Sequence, residues 1–193
     1  LSLHFDLKKE KQDRMINAAL KVFALNGYRH ASTDDIVREA AISKGLLFHY
    51  FENKLGVYAF VYDYSVRYLL LELSTAVDAK ETDLFTLMQQ VETGKMHAMC
   101  GYPYLQPFLN RAQAENVNEA LVAVEERKQQ MEEAYENIYA RADLGKYAAA
   151  EDVVKLRKMM ELTIKGLMNE RILEDAFQPE MLLSLIHISE PTR

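Results

Sequence analysis

The chain has 193 residues, 49% of them apolar and 10% aromatic, a composition that supports an ordinary folded core and excludes a disordered chain. Apolar runs such as Tyr68 to Leu71 fall far short of the ~20 residues a membrane-spanning helix needs, and the N-terminus lacks a signal peptide's charged and apolar regions, so a cytoplasmic protein is expected. Cys100 is the single cysteine, which excludes an intrachain disulfide, and the net charge of −6 at first argues against nucleic acid as a partner.

That total hides an asymmetry. Residues 1–54 carry nine Lys and Arg against seven Asp and Glu, whereas the remainder carries fourteen against twenty-two. A mildly basic N-terminal part on an acidic body suits a domain that approaches phosphates joined to one that stays off them. From Lys8 the pattern is helical: Ile16, Ala19, Leu20, Phe23 and Ala24 form a stripe, and Asn26-Gly27 reads as its C-cap.

Two short helical signals follow in very few residues. Ser32 reads as an N-cap with Asp35 completing a capping box, and Ile36, Val37 and Ala40 continue at helical spacing. Ala41 and Ile42 connect to Ser43, a second N-cap, and Lys44 to Phe51 form a helix whose Leu47 and Phe51 lie one turn apart as its own core contacts. This is a helix-turn-helix, a layout that suits reading DNA from the major groove. Lys44 and Lys54 bracket the second helix with charge for phosphate oxygens, Gly45 allows close backbone approach, and His49 and Tyr50 offer donors.

The segment ISKGLLFHYFENKLGVY closely resembles the DNA-binding motif of the tetracycline-repressor (TetR, AcrR-like) family of bacterial transcription regulators, and RMINAALKVFALNGYRHASTDDIVREAA resembles that family's first two helices. The resemblance covers about residues 10 to 60; beyond them only the all-helical pattern is similar. Three departures stand out: Ala41 where the family usually has glycine, Leu46 where threonine is common, and Phe48 where tyrosine is usual. The expected DNA-binding set is Ser32, Thr33, Ser43, Lys44, Gly45, Leu46, Leu47, Phe48, His49, Tyr50 and Lys54, with Leu46 offering an apolar contact to a thymine methyl.

After this motif the pattern stays helical. Residues 54 to about 77 read as one long helix, very apolar towards its end, and 83–99 as an amphipathic one stopped at Cys100-Gly101-Tyr102-Pro103. A short helix near Pro107, a long one from Asn116 or Asn118 to Leu144-Gly145, and another from about Glu151 to Glu174 complete it, with no strand signal. The tail LSLIHISEPTR, residues 183–193, resembles the translation of a transposon-based sequencing adapter and is excluded from fold reasoning, which leaves the helix opening at Pro179 cut off.

The expected fold is therefore all-α: a helix-turn-helix DNA-binding domain at 8–54 and a helical effector-binding and dimerisation domain at 55–182. The five histidines are scattered singly and no glycine-rich phosphate loop appears, so no enzyme, metal or cofactor is expected. The resemblance implies an effector pocket in the second domain, and Met88, Met99, Tyr102, Tyr104, Phe108, Met131 and Tyr135 are candidates for its adaptable walls. It also implies a homodimer, paired through the last two helices, that binds a palindromic double-stranded DNA operator as a one-component repressor released by a small molecule. The competing expectations are a helical protein-interaction module and an effector-independent regulator, each without specific operator binding.

Overall fold

A computed structural model of the chain describes residues 9–147, 149–174 and 178. Helix α1 spans Lys9–His30, α2 Thr33–Ala40, α3 Lys44–Tyr50, α4 Lys54–Ala76, α5 Leu84–Gly101, α6 Leu105–Ala112, α7 Asn118–Tyr139 and α8 Ala150–Leu173, with a 3₁₀ turn at Leu144–Lys146. The described residues contain no strand. The fold is all-α, as the periodicity predicts. Pro107 falls in the first turn of α6, where its missing N–H costs no intrahelical bond. Lys8, the helix expected from Pro179, and residues 183–193 lie outside the described residues.

The chain divides into two compact units. The first comprises α1 to α3, α4 up to Arg67, and residues 104–128; the second comprises 68–103 and the chain from 129 onward. Helices α4 and α7 thus each supply residues to both.

In the first unit the stripe predicted on α1 is the core: Ile16, Ala19, Leu20 and Phe23 are fully buried. Phe23 meets Tyr58 of α4 edge to face at 5.1 Å between ring centroids, and Phe108 of α6 meets the same Tyr58 at 5.5 Å and Tyr62 at 6.0 Å. Each such ring contributes roughly 1.5–3 kcal/mol by burial, plus about 0.5–1.5 kcal/mol for favourable ring geometry. Helix α1 breaks at Gly27, whose φ of 68° is left-handed; a Cβ there would lie 3.1 Å from Arg111 Nε, so glycine answers both conformation and space. The following residue is held twice from α6–α7: Tyr28 N–H donates to Glu115 Oε2 at 2.9 Å and its hydroxyl to Glu119 Oε1 at 2.6 Å.

The second unit is packed by Leu69 and Leu73 of α4 with Leu84, Leu87, Met88 and Val91 of α5, all buried. Leu73 lies against Gly94, where a Cβ would come within 2.9 Å of its Cδ2, so α4 and α5 approach more closely there than any side chain permits. Met99 packs with Met168, Ile164 and Ile172 of α8. Asp83 caps α5, accepting from Thr86 N–H at 2.9 Å and from the Tyr147 hydroxyl at 3.2 Å.

Candidate nucleic-acid interface

The helix pair α2–α3 is built by two side-chain caps and one strained turn. Ser32 Oγ accepts the Asp34 N–H at 3.1 Å and Ser43 Oγ the Leu46 N–H at 3.2 Å, so both predicted N-caps are present. Asp35 is engaged by Arg38 in an ion pair. Between the helices Ala41 adopts φ 52°, ψ 48°, and the Ile42 N–H returns to the Val37 carbonyl at 3.1 Å. This is a left-handed C-cap of the kind glycine usually fills, held here by alanine.

Burial sorts the residues of α3 by role. Leu47 is fully buried, as are Ile36 and Ala40 of α2, so it serves the core, the first of the two roles expected of it, and is set apart from the solvent-facing residues of α3. Lys44, Gly45, Phe48 and His49 are exposed, Leu46 and Tyr50 half-buried, and Phe48 retains 39% of its surface in water. Gly45 has nothing near its Cα hydrogens, leaving room for close approach. Lys44 Nζ lies 2.7 Å from Asp34 Oδ1 at the start of α2, and Thr33, also half-buried, follows the Ser32 cap.

Lys54, expected at a phosphate, is engaged within the fold. Its ammonium reaches the carbonyls of Tyr28, Ala31 and Arg29 at 2.8, 3.2 and 3.4 Å and sits 4.5 Å above the Tyr28 ring. All three donors point at the end of α1, so the residue fixes the frame that carries α2 and α3.

Residues 15–59 match the family model described as bacterial regulatory proteins, tetR family. Over these residues the chain is similar to TetR-family regulators. Curated relatives are similar over part of the chain: it is 36% identical over 78 residues to an HTH-type transcriptional regulator, YuxN, of Bacillus subtilis (38% of this chain, 26% of that one), and 41% identical over 49 residues to TtgW of Pseudomonas putida (25% and 37%). The chain thus spans about a quarter to a third of the length of these curated relatives. Among solved structures, the fatty acid degradation regulator FadR from Bacillus halodurans is similar with a TM-score of 0.65 at 17% identity, covering 97% of this chain and all of that one. FadR from Bacillus subtilis, solved with stearoyl-CoA, gives 0.56 at 16%, covering 91% and 95%. Likenesses at that identity extend the TetR-type fold, and no more, over the rest of the chain.

The residues predicted to wall an effector pocket are divided. Met88, Met99, Met131 and Tyr102 are buried in the second unit, Tyr102 with its ring 5.1 Å from Tyr68, and Tyr135 is half-buried there. Phe108 belongs to the aromatic core of the first unit, and Tyr104 is half-buried at the start of α6. Two residues that sequence reasoning passed over lie beside Tyr135. Glu92 is 3% exposed, Lys95 Nζ meets its Oε1 at 2.6 Å, and the same ammonium lies 5.5 Å from the Tyr135 ring centre. Burial disfavours the Lys95 charge, but the Glu92 carboxylate and the Tyr135 and Tyr139 phenols outweigh it and hold its pKa above the ordinary value. The signal was present: Met88, Val91, Lys95 and Ala98 follow at steps of three and four, so Lys95 continues the apolar face.

Proposed function

We propose that the chain is a one-component transcriptional repressor that binds a palindromic double-stranded DNA operator as a homodimer and is released by a small-molecule effector. The observation that carries it is the solvent-facing side of α3, where Lys44, Gly45, Phe48 and His49 stand open above a buried Leu47 in a TetR-like domain. In this reading residues 8–54 read DNA and 55–182 sense the effector and dimerise. Ser32, Thr33, Ser43, Lys44 and Tyr50 position the phosphates, Leu46 and Phe48 make apolar contacts, and Lys54 holds the frame. The chain acts in the cytoplasm and catalyses no reaction. Among the described residues no helix is long and apolar enough to cross a membrane, and no cluster of His, Cys, Asp and Glu is suited to a metal ion.

The dimer reading rests on α8, where Leu156, Met159 and Leu162, at steps of three along the helix, are 43%, 64% and 57% exposed. An apolar row of that extent on one helix suits a second copy of the same helix across a two-fold axis. The ligand reading rests on the methionine- and tyrosine-rich interior of the second unit, with Met88, Met99, Tyr102, Met131 and Tyr135 as its walls. Mobility shift of the full chain against DNA upstream of its own gene, at fixed moderate salt with competitor DNA, tests the reading. Binding that competitor DNA abolishes would instead favour a protein-interaction module docking through Phe48.

A further inference from the structure

Glu92 presents an unsolved polar account in the second unit. Its Oε1 accepts from Lys95, but Oε2 is buried and has no hydrogen-bond partner. A buried carboxylate oxygen left without a donor is destabilising, and native interiors rarely tolerate it without an ordered water or ligand in the functional state. Lys95 complements that oxygen. Among the described residues Glu92 is the acceptor its ammonium meets, so further N–H donors stand one carboxylate away from a free acceptor. Flat aromatic faces adjoin the pair: Tyr135 under Lys95, and Tyr139 with the Arg157 guanidinium 4.4 Å from its ring centre, while Arg157 pairs with Glu161.

We infer that the second unit recognises its ligand through the Glu92–Lys95 pair, and that the ligand is a neutral, mostly apolar molecule carrying a carboxamide or lactam. Its N–H donates to Glu92 Oε2 and its carbonyl accepts from Lys95 Nζ. The inference rests on the ligand-responsive reading given above and narrows it to a chemical class. Charge decides the class. Glu92 offsets Lys95 and Glu161 offsets Arg157, while Lys158, 3.9 Å from Glu161, is 65% exposed and solvated; the less exposed groups are therefore balanced, and a ligand bringing a net charge would leave one charge uncompensated beside the buried Glu92. A primary carboxamide or a lactam places an N–H donor and a carbonyl acceptor side by side and adds no charge.

The test is calorimetric titration of the full chain with three matched probes: naphthamide, naphthoate and naphthylmethylammonium. The carboxamide should bind at least about tenfold tighter than either charged probe, since a desolvated hydrogen-bonding site rejects analogues that leave its groups unpaired. Glu92→Gln, which conserves shape, should narrow that preference. Glu92→Met combined with Lys95→Met, which replaces the pair by apolar groups of similar length, should abolish it. Equal or tighter binding of a charged probe, a preference that survives the double substitution, or no carboxamide binding at all, with an ordered water answering Oε2 instead, would each overturn the inference. DNA release separates it from the broader reading. A charged probe that binds and weakens DNA affinity keeps the ligand-released regulator and removes the carboxamide; a carboxamide that binds with the expected preference but leaves DNA affinity unchanged keeps the site and removes release.

Discussion

Lys54 Nζ lies 2.8 Å from the carbonyl oxygen of Tyr28, so the first residue of α4 closes the open end of α1. The contact joins two elements that a linear reading treats as separate, one behind α2 and α3 and one after them. It also gives a surface-type residue a structural task. Lys54→Met should therefore lower the stability of the chain by about 1–3 kcal/mol in denaturant unfolding, because several carbonyls lose a charged donor. The salt dependence of DNA binding should keep its slope. A slope reduced by about one unit would show that Lys54 neutralises a phosphate after all.

Lys44 is held by Asp34 at 2.7 Å, both side chains more than half exposed. A phosphate competing for that ammonium must first displace the aspartate, and exposed pairs of this kind are worth up to about 1 kcal/mol. Asp34→Asn should thus strengthen DNA binding by about two- to fivefold at low salt, and Lys44→Ala should weaken it and flatten the salt slope by about one unit. Fluorescence anisotropy across a salt series reads both. Unchanged affinity in Asp34→Asn would mean that Lys44 does not reach the backbone.

The turn between α2 and α3 holds Ala41 at φ 52°, a conformation in which a Cβ is crowded. Ala41→Gly should raise stability by about 0.5–1 kcal/mol, the relief of strain exceeding the added chain entropy. Ala41→Val should cost more than the glycine gains, since a branched Cβ crowds the left-handed region further. Urea midpoints that move in the opposite order would contradict the geometry.

Acid should loosen the joint between α1 and the α6–α7 link. Burial works to raise the Glu115 pKa, yet backbone N–H donors from Asn116, Tyr28 and Val117 outweigh it and hold the carboxyl below the ordinary glutamate value. A folded-state pKa below the unfolded one contributes stability above the unfolded value of about 4.3, lost as pH falls through the folded one. Glu115→Gln should therefore destabilise the chain at neutral pH and show a shallower decline in thermal midpoint below about pH 4.3 than the parent. Parallel declines in the two proteins would assign the acid sensitivity elsewhere.

Among the described side chains of α8, Met159 and Leu162 are the most exposed large apolar ones. Met159→Asp with Leu162→Asp should shift sedimentation from dimer to monomer, weakening association by at least about tenfold while leaving helicity by circular dichroism intact. A dimer that persists would place the interface on another face.

Much of this was legible because it is local. The α1 stripe, the stop at Gly27, the Ser32 and Ser43 caps and the inward Leu47 depend on residues within two helical turns, and periodicity reports that range well. What sequence reasoning missed is long-range. Tyr28 finds Glu119 ninety-one positions away, and Lys54 turns back to carbonyls at least twenty-three positions earlier. The Phe108 ring, expected against a ligand, belongs instead to the aromatic core of the first unit because α6 returns to α1. Burial of Glu92 and Lys95 was hidden for another reason: charged residues three apart on a helix ordinarily mark a solvated face, and only the neighbours reverse that.

The return of residues 104–128 to the first unit carries a practical consequence for dissecting the protein. The first unit, which carries the helix-turn-helix, is discontinuous in sequence, so no single cut yields it alone and whole. A fragment ending near 67 would deprive Tyr28 of both its acidic partners and Phe23 of Phe108, leaving apolar rings that α6 now covers open to water. An isolated helix-turn-helix fragment should therefore aggregate or bind DNA feebly for want of a scaffold, whatever its recognition residues are. A folded minimal reader would have to graft α6 and the start of α7 back through an engineered connection.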